Sequence, residues 1–144
     1  MPSWVEQGFQ DYAKRFTSNC SLELCEIPAE KRTKNADTTR IVERESEKLM
    51  AAIHPYHHVI ALDVKGHAWN TEQLAAELKN WQTDGRHVDL LIGGPDGLSK
   101  TCLQKAHSRW SLSPLTLPHP LIRIILAEQL YRAWSILQNH PYHR

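Results

Sequence analysis

The sequence predicts an α/β fold: a mostly parallel sheet flanked by helices. Three observations lead there. Strand-like and helix-like patterns alternate from one end of the chain to the other. The strand segments are short and apolar, with little of the in–out alternation of a half-solvated sheet, so both of their faces should be covered. And 144 residues, 41% of them hydrophobic, suffice for one such domain with a real core. No internal repeat, low-complexity tract or second domain interrupts the pattern, so a single domain over 1–144 is expected.

The elements follow in order. Ser3 with Glu6 reads as a capping box, and Val5, Phe9, Tyr12, Ala13 and Phe16 then recur at helical spacing. Leu22–Ile27 is short, partly alternating and closed by Pro28, which reads as a strand. Asn35 or Asp37 caps a helix reaching Ile53, with Val42, Leu49, Met50 and Ile53 inward and Arg40, Glu43, Arg44, Glu47 and Lys48 outward. Val59–Val64 is an apolar run of strand length, after which Lys65-Gly66 turns the chain. Asn70 caps a helix with Leu74, Ala75, Leu78 and Trp81 on one face, and Gly85 is placed to end it. Val88–Ile92 is the next strand, and it runs into Gly93-Gly94-Pro95-Asp96-Gly97. Ser99 starts a short helix through His107. Leu112–Leu117 reads as a strand interrupted by Pro114, hence an edge, a bulge or an unusual loop. A long helix then runs from Leu121 to Gln138, and Pro141 stops any continuation. The pattern opens on a helix, so the strand expected to precede it is absent: either the chain starts upstream of Met1 or the sheet has a gap.

Composition excludes several classes. No apolar run approaches the roughly 20 residues that span a bilayer. Met1-Pro2-Ser3-Trp4 offers neither the basic nor the apolar region of a secretory signal. Cys20, Cys25 and Cys102 are odd in number and lack a C-x-x-C pair, which suits reduced thiols in a cytoplasmic protein. A net charge of +1 does not announce a nucleic-acid binder, but its distribution does more. From Thr101 to Arg144 the bases Lys105, Arg109, Arg123, Arg132 and Arg144 face one acid, Glu128. Lys31-Arg32-Thr33-Lys34 forms a second basic group, and the two together lean toward a polyanionic partner.

Four features could carry chemistry. Strand ends feeding glycine-rich loops are where open α/β sheets bind ligands, so Gly93–Gly97 is a candidate, although the segment alone also reads as a tight turn. It is neither a Rossmann fingerprint nor a P-loop. The prolines of Leu112–Pro120 restrict φ and remove N–H donors, which leaves neighbouring peptide groups free to meet a ligand or simply stiffens a loop. The helix from Leu121 is apolar nearly all round, which fits a sheet on one side and a dimer partner on the other. The tail Asn139–Arg144 holds Tyr142, His143 and Arg144, residue types that stack on bases, move protons and bind phosphate. His54, His57 and His58 cluster in sequence without any zinc-ligand spacing, so no metal is expected. The pair Glu45/Glu47 reads as a solvated helix face.

In this order the four features resemble the RlmH family of SPOUT methyltransferases, which methylate N3 of a pseudouridine in the 23S ribosomal RNA of bacteria. The matching stretches are Leu91–Ser99, Trp110-Ser111-Leu112-Ser113 through Pro120, Tyr131-Arg132-Ala133-Trp134-Ser135 and Asn139–His143. Ile27-Pro28-Ala29, Lys34-Asn35-Ala36-Asp37 and Leu62-Asp63 match more weakly, so the resemblance spans essentially the whole chain. It implies a SPOUT-type α/β fold with a C-terminal trefoil knot, and a homodimer acting on the assembled ribosome. It implies S-adenosylmethionine held by Leu62, Gly93 and the loop Leu112, Ser113, Pro114, Leu115, Thr116 and Leu117. It implies RNA contacts at His119, Arg123 and Arg144, and catalytic roles for His143, Tyr142 and Arg132. The family also begins with a strand ahead of its first helix, so a start upstream of Met1 is expected. For the chemistry, N3 of a uracil-like ring must lose its proton before it attacks; His143 is the candidate base, Tyr142 positions the ring, and the arginines hold phosphates or the developing anion. Two other readings are a SPOUT enzyme acting on transfer RNA and a non-catalytic RNA-binding dimer.

Overall fold

Three of the apolar runs assemble into one parallel sheet. β1 (His58–Ala68) lies at its centre, with β2 (Val88–Leu91) on one side and β3 (Ser108–Ser111) on the other. Val59, Ile60 and Ala61 are all buried, and three buried residues in succession mean that both faces of β1 are covered. The computed structural model describes residues 2–17 and 20–143, His143 by its backbone alone. The chain divides into two compact units: Cys25–Ala68 with His87–His119, which contains the sheet, and Met1–Leu24 with Trp69–Arg86 and Pro120–Arg144, which is helical.

In the sheet unit, α2 (Thr38–Ala52) and α4 (Lys100–Lys105) bring their apolar residues to one core. Val59, Leu91 and Cys102 form its centre, with Met50, Ile53, Leu98 and Ala106 packed against it. The Cys102 thiol sits 3.7 Å from the Met50 sulfur, and burial pushes its pKa up, so it behaves as a small apolar side chain. Asp37 caps α2 by accepting from the Thr39 and Arg40 N–H groups, and Ser99 caps α4 by accepting from Cys102 N–H at 3.1 Å.

The helical unit holds α1 (Ser3–Ala13), α3 (Thr71–Thr83) and α5 (His119–Leu137), the last entering it at Pro120. Asn70 forms a full capping box with Gln73 at the head of α3. α3 and α5 end alike: Gly85 and Asn139 take positive φ, and the next residue's N–H reaches back to the carbonyl of Trp81 or Ser135. A Cβ on Gly8 would meet Ile124 Cδ1 at 2.8 Å, so α1 and α5 pack closely at that point. Leu74, Ala75, Leu78 and Trp81 are buried, as are Leu126, Ala127, Leu130, Tyr131, Ala133 and Trp134. Among the described residues no helix is long and apolar enough to cross a membrane.

Several elements depart from the sequence reading. Ser3 does not cap α1; Pro2 occupies that position, and its carbonyl accepts from the Val5 and Glu6 N–H groups. Leu22–Ile27 forms no strand, because it is the stretch along which the chain leaves one unit for the other and no ladder partner flanks it. Lys65-Gly66 does not turn the chain. β1 continues through it with a register shift between Leu62 and His67, and Gly66 is needed for close approach, since a Cβ there would lie 2.7–2.8 Å from the backbone of Arg109 and Trp110. Finally, the strand expected at Leu112–Leu117 lies earlier, at Ser108–Ser111, and the proline-containing segment after it is a loop.

Candidate functional site

Register places the expected ligand-binding residues along one edge of the sheet. Ala61 pairs with Leu91, and Leu62 pairs with Trp110. Trp110 also meets His67 beyond the register shift, and Ser111 pairs with Ala68, so the loop after β2 leaves beside Leu62 and the loop after β3 leaves beside the bulged end of β1, at the carboxyl ends of β2 and β3. Leu62, Gly93 and Leu112–Leu117 all belong to this edge, and all lie in the sheet unit.

The glycine loop is closed on itself. Gly97 N–H donates to Gly94 O at 3.0 Å, with Pro95 at the first central position of the turn and Gly97 at φ +83°. A Cβ on Gly93 would stand 2.6 Å from the Gly97 carbonyl carbon, and one on Gly94 would stand 3.0 Å from Glu45 Oε1. Only glycine fits at the first position.

Two buried polar residues of α2 anchor this loop from below. Ser46 Oγ accepts from Ser99 N–H at 2.9 Å. Glu45 accepts both ends of the Arg32 guanidinium at 2.8 and 3.0 Å, and also Glu30 N–H at 3.1 Å. Arg32 Nε then reaches Asp96 in the turn at 2.9 Å. Hydrogen bonds to Glu45 first and Asp96 second hold the Arg32 guanidinium well above its already high range. This corrects two sequence readings. Glu45 is not a solvated carboxylate, being only 7% exposed. Arg32, one of the cations assigned to a polyanionic partner, is engaged in an internal ion-pair bridge.

The second loop has the opposite character. Ser111 Oγ donates to Ser113 O at 3.0 Å, and Ser113 Oγ accepts from Leu115 N–H at 2.9 Å, which shapes its first turn. Among the described residues, 112–117 make no backbone–backbone hydrogen bond. Apart from Ser113 O and Leu115 N–H, which side chains engage, no backbone ladder occupies the peptide groups here, and Leu115, 70% exposed, offers apolar cover beside them. A shaped glycine turn, peptide groups outside any backbone ladder and the exposed Leu115 side chain suit a nucleoside-like ligand bearing both apolar and hydrogen-bonding edges.

In the helical unit, Arg132 and Tyr142 come together around Glu128. Glu128 Oε1 accepts from the Arg132 guanidinium and from Tyr142 OH at 3.1 Å, and Oε2 accepts from Gln129 at 2.6 Å. The Arg132 guanidinium lies 5.1 Å from the Tyr142 ring centroid, and the Tyr131 ring meets Tyr142 edge-on at 4.6 Å. Arg15, just beyond the end of α1, approaches the rings of Tyr12, Tyr131 and Tyr142. Burial first, then hydrogen bonds with Tyr12 and Glu128, raise the Tyr142 pKa well above the usual phenol range, so Tyr142 is a donor rather than a base. The hydrogen bond to Glu128 raises Arg132 as well. From sequence Glu128 stood only as the lone acid among the C-terminal bases and Tyr12 only as part of a helix face, and Arg15 was not singled out. The i, i+4 spacing of Glu128 and Arg132 was the available signal for the first; no local pattern links α1 to the tail.

His119 opens α5 and Arg123 follows one turn later, both half-buried. The His143 side chain and Arg144 lie outside the described residues. Compared with known families, residues 1–143 match the model of a family described as a predicted SPOUT methyltransferase.

Proposed function

Because the chain belongs to the SPOUT methyltransferases, enzymes that methylate RNA with S-adenosylmethionine, we propose that it methylates N3 of a pseudouridine in 23S ribosomal RNA, as a cytoplasmic homodimer acting on the assembled ribosome. The observation that carries this reading is the paired-loop edge: a turn closed too tightly for a side chain at Gly93, and a loop over 112–117 whose peptide groups make no backbone–backbone hydrogen bond among the described residues. When bound, S-adenosylmethionine supplies the electrophilic methyl group. The closed Gly93–Gly97 turn forms one wall against it, the peptide groups of Leu112, Thr116 and Leu117 meet its polar edges, and Leu62 and Leu115 cover its apolar ones. The Arg132–Tyr142 cluster of one subunit serves the edge of the other: Tyr142, held protonated, orients the acceptor ring, and His143 removes the N3 proton. His119, Arg123 and Arg144 hold the RNA.

Calorimetric titration with S-adenosylmethionine, followed by methyl-acceptor assays on ribosomes, isolated ribosomal RNA and transfer RNA, tests this. One site per subunit and label in ribosomes are expected. Label in transfer RNA alone moves the enzyme to that substrate, and a folded protein that binds no S-adenosylmethionine is an RNA-binding dimer.

Glu128 is a positioning residue in this scheme, since it holds both Arg132 and Tyr142. Glu128→Gln is expected to lower the single-turnover methylation rate by about ten- to a hundredfold, the scale of a misplaced reacting group. Affinity for S-adenosylmethionine should not change. An unaltered rate removes Glu128 from the scheme.

A further inference from the structure

The opposite, amino-terminal edge of the same sheet carries a cluster that methyl transfer does not use. Just ahead of β1 the chain turns tightly: His57 N–H donates to His54 O at 3.1 Å, and Tyr56 N–H donates to His54 Nδ1 at 3.2 Å. Ahead of β2, His87 O accepts from His58 N–H at 2.9 Å, which ties this turn to the neighbouring loop. The side chains then line up as a column of four rings. Centroids are 5.5 Å apart from Tyr56 to His54, 4.8 Å from His54 to His57 and 5.2 Å from His57 to His87. The last two pairs are near-parallel, at 29° and 28°. Asp89 holds the third ring of the column through His57 Nδ1 at 3.0 Å.

This column is built but does not belong to the core. Tyr56 is 90% exposed, and His54 and His87 are exposed as well. Among the described residues no group of His, Cys, Asp or Glu is arranged to hold a metal ion, as befits rings stacked face to face rather than converging on a point. The hydrogen bonds also fix the tautomers of the neutral rings. His54 accepts at Nδ1 and therefore carries its proton on Nε2; His57 donates from Nδ1 to Asp89 and therefore presents Nε2 as an acceptor. Rigid aromatic faces flanked by one donor and one acceptor match an unstacked nucleobase. Across 54–58 and 87–89 the only acid in the sequence is Asp89, and His57 engages it, so no unpaired carboxylate in these segments opposes a phosphate backbone.

We propose that the Tyr56–His54–His57–His87 column is a stacking platform for unpaired RNA bases, a second contact with the substrate on the edge of the sheet away from the glycine loop. The inference rests on RNA being the substrate. Its test is the fluorescence anisotropy of labelled single-stranded oligoadenylate, and of an abasic oligomer of equal length, titrated with the full chain. Tyr56→Ala and His54→Ala should each weaken oligoadenylate binding by about tenfold, the scale of one lost base–aromatic stack. Tyr56→Phe should retain it, and the abasic oligomer should bind wild type and variants alike. Tyr56 is too exposed for its loss to threaten folding, and calorimetry with S-adenosylmethionine should show every variant unchanged. Equal oligoadenylate affinity in wild type and in the Tyr56→Ala/His54→Ala double variant overturns the platform, as does a wild type that binds no oligomer. The proposed function fails separately, if wild type transfers no methyl group to ribosomes while its oligoadenylate binding still depends on Tyr56.

Discussion

Gly93→Ala is expected to weaken S-adenosylmethionine binding by about a hundredfold while the protein still folds, as read by calorimetry beside a thermal melt. The added methyl would sit 2.6 Å from the Gly97 carbonyl carbon, 2.8 Å from its oxygen and 2.9 Å from its Cα. All three are backbone atoms, so no flexible side-chain end can move aside. Nor can the turn shift freely, because Gly97 N–H is bonded to Gly94 O and Asp96 is bridged to Arg32. The strain of one methyl forced into a packed site is about 1–3 kcal/mol, small enough to leave a folded protein. A binding loop displaced by about an ångström loses on the order of a hundredfold in a geometry-dependent step. Unchanged affinity would show that the glycine turn does not border the cofactor.

Arg32→Ala should produce the largest loss of stability among the surface-accessible cations. It leaves Glu45, whose side chain is only 9% exposed, without its countercharge. Removing one partner of a fully buried pair costs about 3–5 kcal/mol. Arg32 itself is 28% exposed and Asp96 37%, so solvent screens part of the effect, and about 2–3 kcal/mol is expected. For a chain of this size that is a fall in Tm of roughly 5–10 °C. Adding Glu45→Gln to Arg32→Ala should recover part of it, because the stranded charge is then gone, whereas Lys31→Ala, at an exposed neighbouring position, should leave Tm unchanged. A double variant no more stable than the single one would mean that Glu45 is not held by this ion pair.

The parts of the fold legible in sequence were those governed by local chemistry. Asp37, Asn70 and Ser99 each cap the helix read from them, because a short polar side chain in that position satisfies N–H groups three residues away or nearer. Gly85 ends α3 by its positive φ. What local pattern could not supply was pairing. Leu22–Ile27 has the composition of a strand but pairs with no strand among the described residues, while Ser108–Ser111, nearly all polar, is a strand because β1 lies beside it. Gly66 looked like a turn and is a point of contact between strands. The same limit applied to the candidate site. Gly93 and Leu112–Leu117 stood out as a turn and a proline-bound loop, but the Glu45–Arg32–Asp96 bridge joins three distant segments, and Arg15 reaches the Tyr142 ring from the other end of the chain.

The strand order β2-β1-β3 also has a kinetic consequence. β1 has two parallel partners and no hairpin, and each partner is reached only after an intervening helical segment has been laid down. Such non-local pairing is slow to form, and neither loop of the edge carrying Gly93 and Leu112–Leu117 has its place until β1 is paired on both sides. The edge is therefore a late product of folding, absent from partly assembled chains. A ligand that recognises it binds only the native state and raises the melting temperature by mass action, so S-adenosylmethionine bound there as proposed would act as a chemical chaperone for the chain.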